Sequence, residues 1–135
     1  MKEITVPATL DNVETVTEFV DELLNALRCP PPVRTQIDIA IDEVFSNIVR
    51  YAYSPEEGPA TVRVDAAEEP RSVVITFIDH GKPYNPLTTA APDTTLSAKQ
   101  RRIGGLGVYM LKKTMDDLAY AYTDGKNILT ICKKL

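Results

Sequence analysis

Histidine occurs once and cysteine twice in this sequence of 135 residues, and neither cysteine has a second Cys or His at metal-ligand spacing. Cys29 and Cys132 are therefore read as free thiols of a reducing compartment, not as a disulfide or a zinc site. Long apolar runs are also missing. None approaches the roughly 20 residues that a helix needs to cross a bilayer. The opening Met1-Lys2-Glu3-Ile4-Thr5-Val6-Pro7 lacks the apolar core of a secretory signal. The expectation is a cytoplasmic protein without membrane contact. A basic excess is absent as well: 15 Lys and Arg stand against 19 Asp and Glu, for a formal net charge of −4. That balance argues against nucleic acid as a direct partner. There are no repeats or low-complexity tracts. Hydrophobic residues at 44% and charged residues at 25% suit one soluble domain, residues 1–135, with enough length for a real core.

What is present centres on Asp42-Glu43-Val44-Phe45-Ser46-Asn47-Ile48-Val49-Arg50-Tyr51-Ala52-Tyr53. Ile37, Ile41, Val44, Ile48 and Ala52 recur at the spacing of a buried helix face. Glu43 and Asn47, four residues apart, stack on one side of that helix, bordering the stripe beside Ala40. A carboxylate and an amide at such an edge are partly desolvated and need partners, because a buried polar group without one costs about 1–3 kcal/mol. A surface Glu with an Asn that bonds a neighbouring loop is the simpler local reading.

Around this helix the chain predicts a short strand at 4–6 and a helix over about 10–27 with Asp11 or Asn12 as cap. Pro30-Pro31-Pro32 breaks that helix, and the central helix runs over about 31–53. Strands at 61–66 and 73–79 form an antiparallel hairpin. Residues 80–103 show no periodicity, and a lid over about 82–103 is expected. A helix opens at Gly104-Gly105-Leu106-Gly107. Two strands, 118–123 and 127–133, close the chain around Asp124-Gly125. This order predicts an α+β fold, a two-layer α/β sandwich with helices on one face of a mixed, mainly antiparallel sheet.

Two further segments carry chemistry. Asp79 ends a buried strand, where its carboxylate can accept a hydrogen bond from an exocyclic amine. Gly81 follows without a Cβ and lets a flat ring approach the backbone. An Asp-x-Gly turn is the bland alternative. The second segment, Gly104-Gly105-Leu106-Gly107, exposes backbone N–H groups at a helix start, where dipole and donors favour phosphate. A flexible hinge explains it equally well on local grounds. It matches neither a Walker A loop nor a Rossmann fingerprint.

Together, Glu43-x-x-x-Asn47, Asp79-x-Gly81 and Gly104-Gly105-Leu106-Gly107 resemble, in order and spacing, the N, G1 and G2 boxes of the gyrase/histidine-kinase/mismatch-repair ATPase superfamily. Within it the likeness is to the bacterial anti-sigma factor serine/threonine kinases. It is carried by Tyr51-Ala52-Tyr53, Gly81-Lys82-Pro83-Tyr84-Asn85-Pro86, Gly105-Leu106-Gly107-Val108-Tyr109-Met110-Leu111-Lys112-Lys113, Met115-Asp116-Asp117 and the closing Asn127 to Leu135.

The resemblance implies the Bergerat ATP-binding fold and Mg-ATP or ADP as the bound nucleotide. It implies Asn47 as a Mg²⁺ ligand, Glu43 as the group that orients or deprotonates the attacking hydroxyl, and Asp79 on the adenine amine with Thr130 in support. Gly104, Gly105, Leu106 and Gly107 would hold phosphates, and Arg101 and Arg102 would neutralise the γ-phosphate. The implied partners are a sigma factor and a small antagonist protein with a phosphorylatable Ser or Thr, and the implied assembly is a homodimer. Two other functions stay open: a nucleotide-dependent protein-binding switch without phosphotransfer, and a detached histidine-kinase-type catalytic domain. No separate dimerisation helix with a phosphoacceptor His is present, which counts against a complete sensor kinase.

Overall fold

The computed structural model describes residues 1–53, 55–88 and 105–135, the backbone alone at 105 and 106. Strand β1 (Lys2–Pro7) leads into helices α1 (Asn12–Ala26) and α2 (Pro31–Tyr51). Strands β2 (Pro59–Glu68) and β3 (Arg71–Asp79) follow, then α3 (Gly105–Thr114), β4 (Asp117–Thr123) and β5 (Lys126–Lys134). The strands lie side by side in the order β1-β2-β3-β5-β4.

Every pairing among these strands is antiparallel. The α+β class and the one-sided helical layer hold; the expected mixed sheet does not. The crossover through α3 makes β4 run parallel to β3, but β5 inserts between them and pairs antiparallel with both. At the closing hairpin Asp124 (φ 54°) and Gly125 (φ 75°) both take the left-handed conformation, as a two-residue hairpin turn with the strands' own twist requires.

Alternation decides which face of the sheet meets the helices. Val62, Val64, Ile75, Phe77, Leu129 and Ile131 point inward and are buried. From the helices, Val16, Val20 and Leu24 of α1 and Ile37, Ile41 and Phe45 of α2 fill the space above them. Each such side chain contributes about 1.5–3 kcal/mol relative to exposure. Asp11 stands at the N-cap of α1 but makes no capping hydrogen bond through its side chain. Asn12 instead ties its amide to the carbonyl of Pro7 (2.9 Å) and to Thr9 Oγ1 (3.1 Å). In the register of β3 with β5, Asp79 stands opposite Asn127 on the helix-facing side.

Candidate functional site

One wall of the site is the middle of α2. Asn47 is 5% exposed and donates from Nδ2 to Glu43 Oε1 at 3.0 Å. The two polar residues at the edge of the apolar stripe thus satisfy each other. Arg50, one turn on, reaches Asn47 Oδ1 with a long 3.4 Å contact. Burial raises the Glu43 carboxyl above its ordinary value, while the Asn47 amide and the Arg50 charge pull it partly back. A half-buried acid raised in this way holds a proton more readily than a solvated carboxyl does.

The opposite wall is the exit of β3. Asp79 is 4% exposed, and its Oδ1 accepts two hydrogen bonds, from the Gly81 backbone N–H and from Asn127 Nδ2, both at 2.9 Å. Oδ2 accepts none from the described residues. Gly81 is required for a reason other than the approach of a ring. A Cβ there would run into the carbonyl and Cβ of Ala52 at the end of α2. The same carbonyl accepts from Lys82 N–H at 2.9 Å. Tyr53 braces the other side: its hydroxyl accepts from the His80 N–H (2.8 Å) and donates to the Pro59 carbonyl (2.6 Å).

Helix α3 begins at Gly105, and at Gly107 a Cβ would overlap the Glu43 carboxylate. The glycine-rich start of α3 therefore lies directly against the acid of α2. Gly104, Arg101 and Arg102 lie outside the described residues, as does the Leu106 side chain. Of the expected lid, residues 82–88 are fixed. Tyr84 N–H donates to Asn127 Oδ1 (3.0 Å), Pro86 is buried in a 3-10 turn, and Lys112 Nζ donates to the Leu87 carbonyl (2.7 Å). The remainder of that span lies outside the described residues.

Thr130 does not belong to the site. It pairs with Thr76 on the sheet face away from the helices, whereas Asn127, Leu129 and Ile131 face inward. The sequence carried this information, since apolar Leu129 and Ile131 flank Thr130 and set its parity. The residue opposite Asp79 is Asn127, a polar side chain at an inward position of a strand. That inward parity was the signal for it. Tyr51 and Tyr84 were also missed as a pair: their rings stack at 4.7 Å between centroids, tilted 31°.

Between the walls lies a cleft of about 380 Å³, counting its space open to solvent, lined by Asn47, Tyr51, Asp79, Tyr84, Tyr120 and Asn127 among others. Its floor is apolar, through Val44, Ile48, Phe77 and Leu129. An apolar floor beside a carboxylate acceptor is the chemistry that a flat apolar ring carrying a donor would meet.

An antiparallel sheet under a helical layer, with the amide of an acid–amide pair on the central helix lining the same cleft as a strand-end Asp, is the architecture of an ATPase-type domain. The chain belongs to the histidine kinase-like ATPase domain family, whose model matches residues 6–133. It is similar to the serine/threonine-protein kinase BtrW of Bordetella bronchiseptica, with 29% identity over 99 residues that cover 73% of this chain and 69% of BtrW. The serine-protein kinase RsbW of Listeria monocytogenes is 30% identical over 98 residues, 69% of this chain and 61% of RsbW. RsbW of Bacillus mycoides is 24% identical over 131 residues, covering 94% of this chain and 81% of its own length. A chain in the crystal structure of the SiaB-SiaC complex from Pseudomonas aeruginosa has the same fold, at TM-score 0.65 and 17% identity over 100% of this chain and 90% of that one. The resemblance to the anti-sigma factor serine/threonine kinases is thereby met at the level of the family.

Proposed function

We propose that this protein is a cytoplasmic anti-sigma regulatory kinase that uses Mg-ATP to phosphorylate a Ser or Thr of a small antagonist protein and that sequesters a sigma factor. The observation that carries the reading is one cleft lined by both a donor-seeking Asp79 and Asn47, the amide that is bonded to Glu43 on α2. The kinship with BtrW and RsbW supports serine or threonine as the acceptor.

In the reaction the acceptor hydroxyl oxygen bonds the γ-phosphorus as the bond to the β,γ-bridging oxygen breaks. ADP leaves with that electron pair, and the hydroxyl proton passes to Glu43. Burial raises the Glu43 carboxyl, which makes its carboxylate a better proton acceptor than a solvated one. Asn47 orients Glu43 through their 3.0 Å bond. Its Oδ1, which among the described residues accepts only the long Arg50 contact, is a hard oxygen suited to Mg²⁺, which takes one or two protein oxygens and fills its shell with phosphate and water. Bound there, the ion would neutralise phosphate charge. Gly105 and Gly107 would bring backbone to the phosphates and Asp79 would fix the base, and the family resemblance assigns Arg101 and Arg102 to neutralising charge on the γ-phosphate. Positioning and charge neutralisation supply most of the acceleration in such transfers.

The test has two arms. Mg-ADP raises the melting temperature of the wild type, and Asn47→Ala or Asp79→Ala removes most of that shift; equal shifts in all three would refute the site. Incubation with γ-labelled ATP and candidate antagonist proteins yields phosphoserine or phosphothreonine. Binding of ATP with no transfer to any acceptor would favour the protein-binding switch.

A further inference from the structure

The Asn127 amide has no capacity left for a ligand. Its two N–H groups go to Asp79 Oδ1 (2.9 Å) and the Lys82 carbonyl (2.8 Å). Its oxygen accepts from the Tyr84 N–H (3.0 Å) and from the Tyr120 hydroxyl. Two donors and two lone pairs are all that a carboxamide offers. The residue is 6% exposed and ties β5 to β4 and to the segment leaving β3. Its orientation is also fixed. Turned over, its oxygen would face the Asp79 carboxylate and its NH₂ would face the Tyr84 N–H, acceptor on acceptor and donor on donor.

The load therefore falls on one oxygen of Asp79. Oδ1 already receives Gly81 N–H and Asn127, while Oδ2 accepts nothing from the described residues and Asp79 lines the cleft. A lone carboxylate oxygen selects a ligand that presents a hydrogen-bond donor. It accepts the exocyclic amine of a 6-aminopurine and opposes the carbonyl of a 6-oxopurine.

We infer that Asn127, oriented by Tyr120, is a positioning residue that sets which oxygen of Asp79 meets the base, so that discrimination between amino- and oxopurine nucleotides depends on a side chain whose own hydrogen-bonding groups are all spent within the protein. This rests on the nucleotide reading of the cleft and adds to it the residue that controls base selectivity. The position differs from Asp79 itself, whose loss removes the contact altogether. Asn127 governs only how that contact is aimed.

The experiment measures calorimetric Kd for Mg-ADP and Mg-IDP at pH 6 and pH 8, on wild type, Tyr120→Phe and Asn127→Asp, with each variant's nucleotide-free melting temperature as the check on folding. These two nucleotides differ at the purine 6-position, amine against carbonyl. One hydrogen bond to a charged group corresponds to a wild-type preference for ADP of about 10- to 100-fold. In Asn127→Asp two carboxylates oppose each other and need a shared proton. The other titratable side chains around them are Tyr51, Lys82, Tyr84 and Tyr120 on the cleft, Tyr53 within electrostatic reach of Asp79, and His80 next to it in the chain. The ADP preference of this variant falls to about twofold at pH 8 and recovers at pH 6, because a bridging proton restores the donor. A merely structural role would give no such pH dependence. Tyr120→Phe, which removes one hydroxyl, loses about three- to tenfold of the preference without gaining pH dependence. If Asn127→Asp does not fold, the Tyr120→Phe ratio decides alone. Wild-type ratios in the folded variants at both pH values would overturn the inference and leave the nucleotide site standing. A wild type that binds neither nucleotide would instead overturn the proposed function beneath it, and the inference with it.

Discussion

Asp21 on α1 and Asp38 on α2 meet where the two helices pack, and the Oδ1 atom of each is buried without a hydrogen-bond donor. Two facing acceptors can bond only if one of them carries a proton. Burial first, then the Asp21 hydrogen bond and charge, raise Asp38 from 3.8 to about 7, against a weaker pull from Arg34. A folded-state acid raised in this way keeps a proton that the unfolded chain has already lost. Its contribution to stability is fully present below pH 3.8 and is lost as pH rises to about 7. At 1.36 kcal/mol per pH unit the whole gap corresponds to at most about 4 kcal/mol. Because Asp38 retains contact with solvent, screening reduces this to roughly 1–2 kcal/mol.

Asp38→Asn supplies a permanent donor to Asp21 and removes the titration. Under half of that contribution is still present at pH 5.5, so thermal melts at pH 5.5 and pH 8 should show wild type losing about 2–5 °C more than the variant between the two conditions. Comparing the two proteins cancels the carboxylates common to both. An equal loss in wild type and Asp38→Asn would refute the shared-proton account of the α1–α2 contact.

Gly107→Ala drives a methyl into the Glu43 carboxylate, so phosphotransfer to the antagonist should drop about 100-fold in a γ-labelled ATP assay; wild-type turnover would show that Glu43 and the start of α3 are not in contact. Glu43→Gln keeps a partner for Asn47 but cannot accept a proton, so transfer falls about 10²–10⁴-fold while the Kd of ADP by calorimetry changes little. Gly81→Ala meets backbone atoms of Ala52, which cannot swing aside. It should cost about 2–4 kcal/mol in urea denaturation through overpacking and the loss of the Lys82–Ala52 bond, and a native midpoint would contradict the contact.

Most of the fold was legible because its signals are local. The stripe from Ile37 to Ala52 has helical period, the hairpins alternate, and Asp124-Gly125 takes the two left-handed residues that its turn needs. Strand order was not legible in that way. The insertion of β5 between β3 and β4 depends on pairings distant in sequence, and no local pattern distinguishes it from a parallel neighbour. For the site, Glu43, Asn47 and Asp79 were visible as polar residues at the edges of apolar runs. Thr130 was misplaced because its hydroxyl outweighed its parity, and Asn127 was passed over although its inward position left it no solvent. Gly81 was correctly singled out for the wrong neighbour. A missing Cβ marks a close approach, but the sequence does not say whether ligand or protein makes it.

Helix α2 sets the spacing of the whole cleft. Its middle carries Glu43 and Asn47, and its end holds the β3 exit through the Ala52 carbonyl and the close contact with Gly81. The distance from the acid–amide pair to Asp79 is therefore set by one rigid element and one short hydrogen-bonded bridge, not by a loop. At 1.5 Å of rise per residue, Asn47 and Ala52 are separated along the axis by roughly 8 Å. The α3 side of the cleft is tied to α2 differently, through the close approach of Gly107 to the Glu43 carboxylate, a side chain with rotamer freedom that the Ala52 backbone lacks.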